Sequence, residues 1–129
     1  MKPEIPFCIV SPESPGDPNG ENYAVLRSGL RSAGLDVMPV YGVWKGTPEH
    51  SFLVLLPHGD DGPEFRTILD LTKATSQDAV LYVGADREAA LIARDGTVQP
   101  VGHWQQIEYL GDRPESYTVG PDGRVYCAL

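Results

Sequence analysis

Apolar and polar positions along this chain follow two periods in turn. Phe7-Cys8-Ile9-Val10 is a wholly apolar run of strand length, which predicts a buried strand. Tyr23, Leu26, Leu30 and Ala33 then recur at helical spacing, with Arg27 and Arg31 on the outer side. Asn19 or Asn22 offers the cap of that helix and Gly34 its stop. Asp36 to Trp44 is β-prone, although Pro39 asks for an edge or a bulge. Lys45-Gly46-Thr47-Pro48 reads as a turn, and Ser51 to Leu56 as the strongest strand. Asp61, Pro63 and Glu64 read as a helix start: a cap, a proline at the first helical position and an acid in the first turn. Phe65, Ile68, Leu69 and Thr72 supply the stripe of that second helix. Ala79 to Val83 predicts another buried strand. Ala89 to Ala93, Thr97 to Val101, Tyr117 to Val119 and Val125 to Ala128 predict short strands, with hairpin dipeptides at Asp95-Gly96 and Asp122-Gly123.

The first two-thirds thus runs strand, helix, strand, strand, helix, strand. That order predicts an α+β domain: a ferredoxin-like split β-α-β sandwich, with both helices on one face of an antiparallel sheet and extra C-terminal strands. Tyr23, Leu26, Leu30, Phe65, Ile68 and Leu69 are expected to be buried against the sheet. The length of 129 residues fits a single domain over 1–129. Ser11 to Gly20, with three prolines and two glycines, reads as a long loop of the kind that is often functional.

Charge narrows the partners. Eighteen acidic against ten basic residues give a net charge of -8, and no basic run is present. Binding to nucleic acid or to an anionic membrane surface is therefore not expected. The prolines near the N-terminus interrupt any apolar leader, and no stretch has the length of a membrane span, so a cytoplasmic location is expected. Cys8 and Cys127 lie in apolar strands and read as buried free thiols.

The residues alone supply no strong chemical motif. Phosphate-loop, dinucleotide and zinc spacings are missing, and His50, His58 and His103 share no ligand spacing. Glu49, His50 and Ser51 are consecutive on a strand, so they face alternate ways and form no triad. Glu49 stands at the mouth of the most apolar strand, where the plain reading is a surface glutamate beside a turn. Gln77 reads as a polar residue at a strand entry, and Trp44 and Trp104 as core or rim aromatics.

Several segments, taken in order, add to this. Gly42-Val43-Trp44-Lys45 resembles Gly-Cys-Tyr-Arg, and Thr47-Pro48-Glu49-His50-Ser51-Phe52-Leu53-Val54 resembles Thr-Glu-Glu-Lys-Thr-Val-Arg-Val. Gln77-Asp78-Ala79-Val80-Leu81 resembles Gln-Asp-Cys-Val-Leu. His103-Trp104-Gln105-Gln106-Ile107 resembles Ser-Phe-Gln-Glu-Val. Tyr117-Thr118-Val119 with Gly123-Arg124-Val125-Tyr126 resembles Phe-Thr-Ile with Gly-Arg-Arg-Trp. These are segments of the bacteriophage S-adenosylmethionine lyase family, formerly called S-adenosylmethionine hydrolases, which the chain resembles over nearly its whole length.

The resemblance implies a ferredoxin-like subunit and a homotrimer with ligand sites between subunits; no cofactor and no metal is expected. It implies S-adenosylmethionine as substrate, cleaved to methylthioadenosine and homoserine lactone by attack of the substrate's own carboxylate. It places Glu49 at the family's glutamate, as the catalytic residue, and Gln77 at its glutamine. The family's tyrosine falls on Trp44, a departure that keeps a ring face and loses a hydroxyl; Tyr41 stands in for it only in a different strand register. A non-enzymatic small-ligand or partner-binding module, and a purely structural interaction protein, are the rival readings. The lyase requires a pocket, and the structural protein requires none.

Overall fold

The structure, a computed structural model, describes residues 5–11, 21–44, 46–59, 62–74, 79–93, 95–107, 116–120 and 123–128; side chains at 21–23, 44, 47–49 and 72–74 are not among those described. The elements in chain order are β1 (Phe7–Val10), α1 (Glu21–Ser32), β2 (Val37–Trp44), β3 (Thr47–Leu55), α2 (Pro63–Ala74), β4 (Ala79–Val83), β5 (Glu88–Ala93), β6 (Val98–Ile107), β7 (Tyr117–Val119) and β8 (Val125–Ala128).

Each helix is made by one apolar stripe. On α1, Leu26 and Leu30, one turn apart, are fully buried. The helix closes on two backbone bonds, Gly34 N to Arg31 O at 3.0 Å and Leu35 N to Leu30 O at 3.3 Å, the pattern of a glycine-terminated helix. On α2, Pro63 opens the first turn, and Phe65 and Ile68 enter the same cluster with Leu69 and Leu71 beside them. Gly29 is where the two helices meet closely: a Cβ there would lie 2.5 Å from Leu71 Cδ2. The expected burial of Leu26, Leu30, Phe65 and Ile68 holds, and Leu69 is half-buried; the Tyr23 side chain and Asp61 lie outside the description. Cys8 and Cys127 are free and buried, as read.

The architecture differs from the expected sandwich. The strands form a closed antiparallel barrel in the order β1-β3-β2-β7-β8-β6-β5-β4, with β4 returning to pair with β1. The correction comes from the C-terminal third. Its four strands are not hairpins added to a finished sheet: β7 takes the free edge of β2, β5 takes that of β4, and β8 joins β6 to β7. Closure removes both open edges, which an open sheet would have to protect in other ways.

Strand bounds shift in two places that matter: β6 runs on to Ile107, past the expected end at Val101, and β3 starts early. β2 ends at Trp44 and β3 begins at Thr47, so Glu49 lies inside a ladder opposite Gly42 rather than beside a turn. Prolines sit where the pairing is one-sided. Beyond β3, β2 pairs with β7 only over Tyr41–Val43, so Pro39 faces a neighbour on one side alone. Pairing of β1 with β3 likewise reaches only Phe52, which leaves Pro48 in a one-sided stretch.

Alternate residues divide between two clusters. Cys8, Val10, Phe52, Val54, Val80 and Ile92 pack under the helices. Phe7, Ile9, Leu53, Leu55, Leu81 and Val83 point the other way, into the barrel lumen with Ala89 and Trp104.

Candidate functional site

The lumen is not filled. It holds an open-mouthed cavity of about 570 Å³, within the range of sites that take a small organic ligand. Met38 and Leu53, paired across β2 and β3, give it an aliphatic wall. The rest is aromatic and polar. Phe7 and Trp104 meet edge to face, centroids 5.4 Å apart, although their strands are separated by β4 and β5; the contact therefore spans the lumen. Trp104 also stacks on Tyr126, centroids 5.8 Å apart and planes within 3°. Pairs of this kind are worth about 0.5–1.5 kcal/mol beyond the area they bury, and they fix the ring planes.

Register ties this wall to Glu49. Glu49 pairs with Gly42, Gly42 with Thr118, Thr118 with Tyr126, and Tyr126 with Gln106. These five positions form one cross-strand row over β3, β2, β7, β8 and β6, and Thr118, Tyr126 and Gln106 all line the cavity. Glu49 shares strand parity with Leu53 and with Ser51, the buried polar residue of the described core. Gly42 keeps the row open at its second position, because a Cβ there would meet the Tyr117 carbonyl oxygen at 3.0 Å.

A cation borders the cavity at the β4–β5 turn. Arg87 N donates to Gly84 O at 2.9 Å and Gly84 N to Glu88 O at 3.1 Å, a three-residue hairpin loop whose last residue adopts positive φ. Arg87 holds that position with φ of 66°, where glycine or asparagine is usual, at a backbone cost of about 1–2 kcal/mol. Its carbonyl accepts from Trp104 N at 2.8 Å. Its guanidinium lies 5.5 Å from the Phe7 ring centroid, and Nη1 donates to Ile5 O at 3.3 Å.

The residues singled out from sequence separate here. Trp44 ends β2 opposite Thr47, at the same strand parity as Gly42 and diagonal to Glu49. Tyr41 has the opposite parity; its ring lies 5.7 Å from that of His50 and it is 41% exposed. Gln77 lies outside the described residues, between α2 and β4. Phe7, Arg87, Thr118, Trp104 and Tyr126 were not singled out as site residues. Trp104, Thr118 and Tyr126 lie within the segments compared above, where aromatic positions met aromatic positions; that was the available signal. Arg87 had none, since its place at the cavity depends on the turn conformation.

Comparison with protein families matches residues 13–129 to the model described as the S-adenosylmethionine lyase family. The chain belongs to the S-adenosylmethionine lyase family. It is therefore an enzyme, and its activity is cleavage of S-adenosylmethionine, as the ordered segments implied. Comparison of the lyase with curated proteins returned no match. No helix among the described residues is long and apolar enough to cross a membrane.

Proposed function

We propose that the lyase converts S-adenosylmethionine to 5′-methylthioadenosine and homoserine lactone in the mouth of its barrel, with the substrate's own carboxylate as nucleophile. A carboxylate oxygen attacks the γ-carbon, the carbon–sulfur bond breaks, and its electron pair stays on sulfur. The sulfonium leaves as a neutral thioether, so no proton donor and no external nucleophile are required. The protein's task is to hold one folded conformer, and alignment of this kind contributes several kcal/mol, about 7–11 in the best intramolecular cases. Positive and negative charge are consumed together along this path, so a partly dry, apolar-walled cavity favours the transition state over the more charged ground state.

The observation that supports this site is the row from Glu49 to Gln106, which connects the family's glutamate to the aromatic wall of the cavity. In this reading Glu49 pairs with the substrate ammonium. Trp44 supplies a ring face for adenine or sulfonium, Gln77 is a further contact, and the Phe7, Trp104 and Tyr126 rings favour a cationic ligand. The functional unit is a homotrimer. Tyr41, on the outer side of β2, belongs to the contact between subunits rather than to the lumen.

The test is incubation of the purified protein with S-adenosylmethionine in ¹⁸O-labelled water. Methylthioadenosine should appear together with unlabelled homoserine lactone, before any homoserine. Label in the first-formed product would establish hydrolysis and remove the intramolecular step. Light scattering should give the mass of three chains, and a monomeric mass for the active enzyme would overturn the trimer.

A further inference from the structure

We infer that Ser51 is the positioning residue of Glu49: its hydroxyl donates to the Glu49 carboxylate and fixes the direction in which that charge is presented. This rests on Glu49 being the catalytic glutamate. It concerns Glu49 itself, so it holds equally for a ligand site completed by a neighbouring subunit. Three observations support it. Ser51 is the buried polar side chain of the described residues, 5% exposed. Its neighbours on that face of the ladder have no hydrogen-bonding side chain: Val40 lies opposite, Met38 and Gly42 lie diagonal to it, and Leu53 follows two residues on. And Glu49 precedes it by two residues at the same strand parity, about 7 Å away along the strand, within reach of a serine hydroxyl for a side chain of glutamate length.

A hydroxyl buried without a partner is unfavourable, and alanine would fill the same place among Val40, Met38 and Leu53. Among the described residues the Ser51 hydroxyl has no hydrogen-bond partner. A serine here is therefore explained by an acceptor, and Glu49 is the acceptor that strand parity supplies. Ser11, which follows β1 in phase with Phe7 and Ile9, is the other hydroxyl that the register brings toward Ser51. A bond between two neutral hydroxyls would leave the glutamate's charge untouched, which separates the two partners by experiment. A hydroxyl that donates to a carboxylate makes a charge-assisted bond and favours the ionised form. It occupies one site on one oxygen and leaves the others for a cationic ligand. No other titratable group crowds Glu49 on this face: Gly42 is opposite and Trp44 and Val40 are diagonal. His50 has the other parity, its ring 5.7 Å from that of Tyr41, and the nearest titratable side chain along the row is Tyr126.

The experiment measures kcat/KM for S-adenosylmethionine as a function of pH in wild type, Ser51→Ala, Ser51→Val and Ser51→Thr, with melting temperatures alongside. Valine and threonine share a shape and differ in the hydroxyl, so their comparison removes any effect of size. We expect Ser51→Thr to stay within about threefold of wild type, and Ser51→Val and Ser51→Ala to lose roughly tenfold, the worth of one hydrogen bond to a charged group. In both of the latter the acid limb of the profile should move to higher pH, because the bond that favoured ionised Glu49 is gone. In a Glu49→Gln background Ser51→Ala should change little further, since the charge it orients has been removed. Equal activity of the valine and threonine variants would overturn the inference. An acid limb that stays in place in Ser51→Ala would also overturn it, whatever happens to the melting temperature, and would assign the hydroxyl to Ser11 or to packing. If Glu49→Gln alone keeps wild-type turnover, the catalytic reading of Glu49 falls and this inference with it; if Glu49→Gln is impaired and Ser51→Ala is not, only the role of Ser51 falls.

Discussion

On β1, Cys8 and Val10 are fully buried beneath α1 and α2, whereas Phe7 and Ile9, one residue out of phase, belong to the lumen. The same division runs through β3, with Phe52 and Val54 against the helices and Leu53 and Leu55 inside. The helix-side cluster is dominated by aliphatic side chains with no exposure, and burial holds the Cys8 thiol far above its ordinary pKa. The lumen-side cluster has only Phe7, Val83 and Ala89 fully packed, and the aromatic and polar side chains around them border a cavity. One set of strands thus serves two purposes on its two faces. The outer face supplies the stability that lets the inner face stay unfilled.

The comparison is tested most severely by substitutions of opposite phase. Phe52→Ala, on the helix side, should lower unfolding free energy by about 3–5 kcal/mol, as deletion of a buried phenylalanine usually does. Turnover per folded molecule should stay near wild type at a temperature where the variant remains folded. Denaturant titration and single-temperature kinetics, run together, would expose any failure of that separation.

On the other phase, Glu49→Gln keeps shape and removes charge. Its melting temperature should be unchanged and its turnover reduced on the order of 10- to 100-fold, matching the roughly 1.5–3 kcal/mol of a hydrogen bond to a charged group. Wild-type turnover would take Glu49 out of the mechanism. Trp44→Ala should chiefly raise KM, because a stacking platform holds ground and transition states alike, while Trp44→Tyr restores the family's residue and should preserve turnover.

The smallest effect concerns neither face but the end of α2. Hydrogen bonds from its own backbone N–H and from His58, 2.7 Å away, hold the Glu64 carboxyl below its ordinary value of about 4.5. A depressed folded pKa means that this contribution to stability is complete above that ordinary value and is lost as pH falls below it. Glu64→Gln should therefore be slightly less stable than wild type at neutral pH, with the difference shrinking in urea titrations as pH falls from 4.5 through the lowered folded pKa. A difference that grows on acidification would reverse the sign and refute the assignment. The effect is small because the His58 side of the pair is largely exposed to solvent.

Local structure was legible where one stretch of sequence decides it. The helical stripes of Leu26, Leu30, Phe65 and Ile68 and the apolar runs of β1 and β4 could be read directly. Closure was not, because the three residues of β7 pair with β2 some seventy-five positions earlier, and nothing in Tyr117-Thr118-Val119 names that partner. The start of β3 was misplaced for a different reason. Thr47-Pro48 carries a turn signal, yet proline is admissible there because the first residues of β3 have a neighbour on one side only. Of the proposed site, Glu49 and Trp44 were named by resemblance. The aromatic wall was hidden because Phe7, Trp104 and Tyr126 come from three strands that meet only when the sheet curls back on itself.

One feature of that closure bears on timing. β8 follows every other element in chain order, yet it is an interior stave: β6 and β7 adjoin only through it. On the ribosome, Tyr126 and the last step of the row from Glu49 emerge after all the other strands, and the remaining seven cannot enclose the lumen without it. The cavity is therefore enclosed only once β8 has docked between β6 and β7, so the wall that Tyr126 completes is the last part of the barrel to form in chain order.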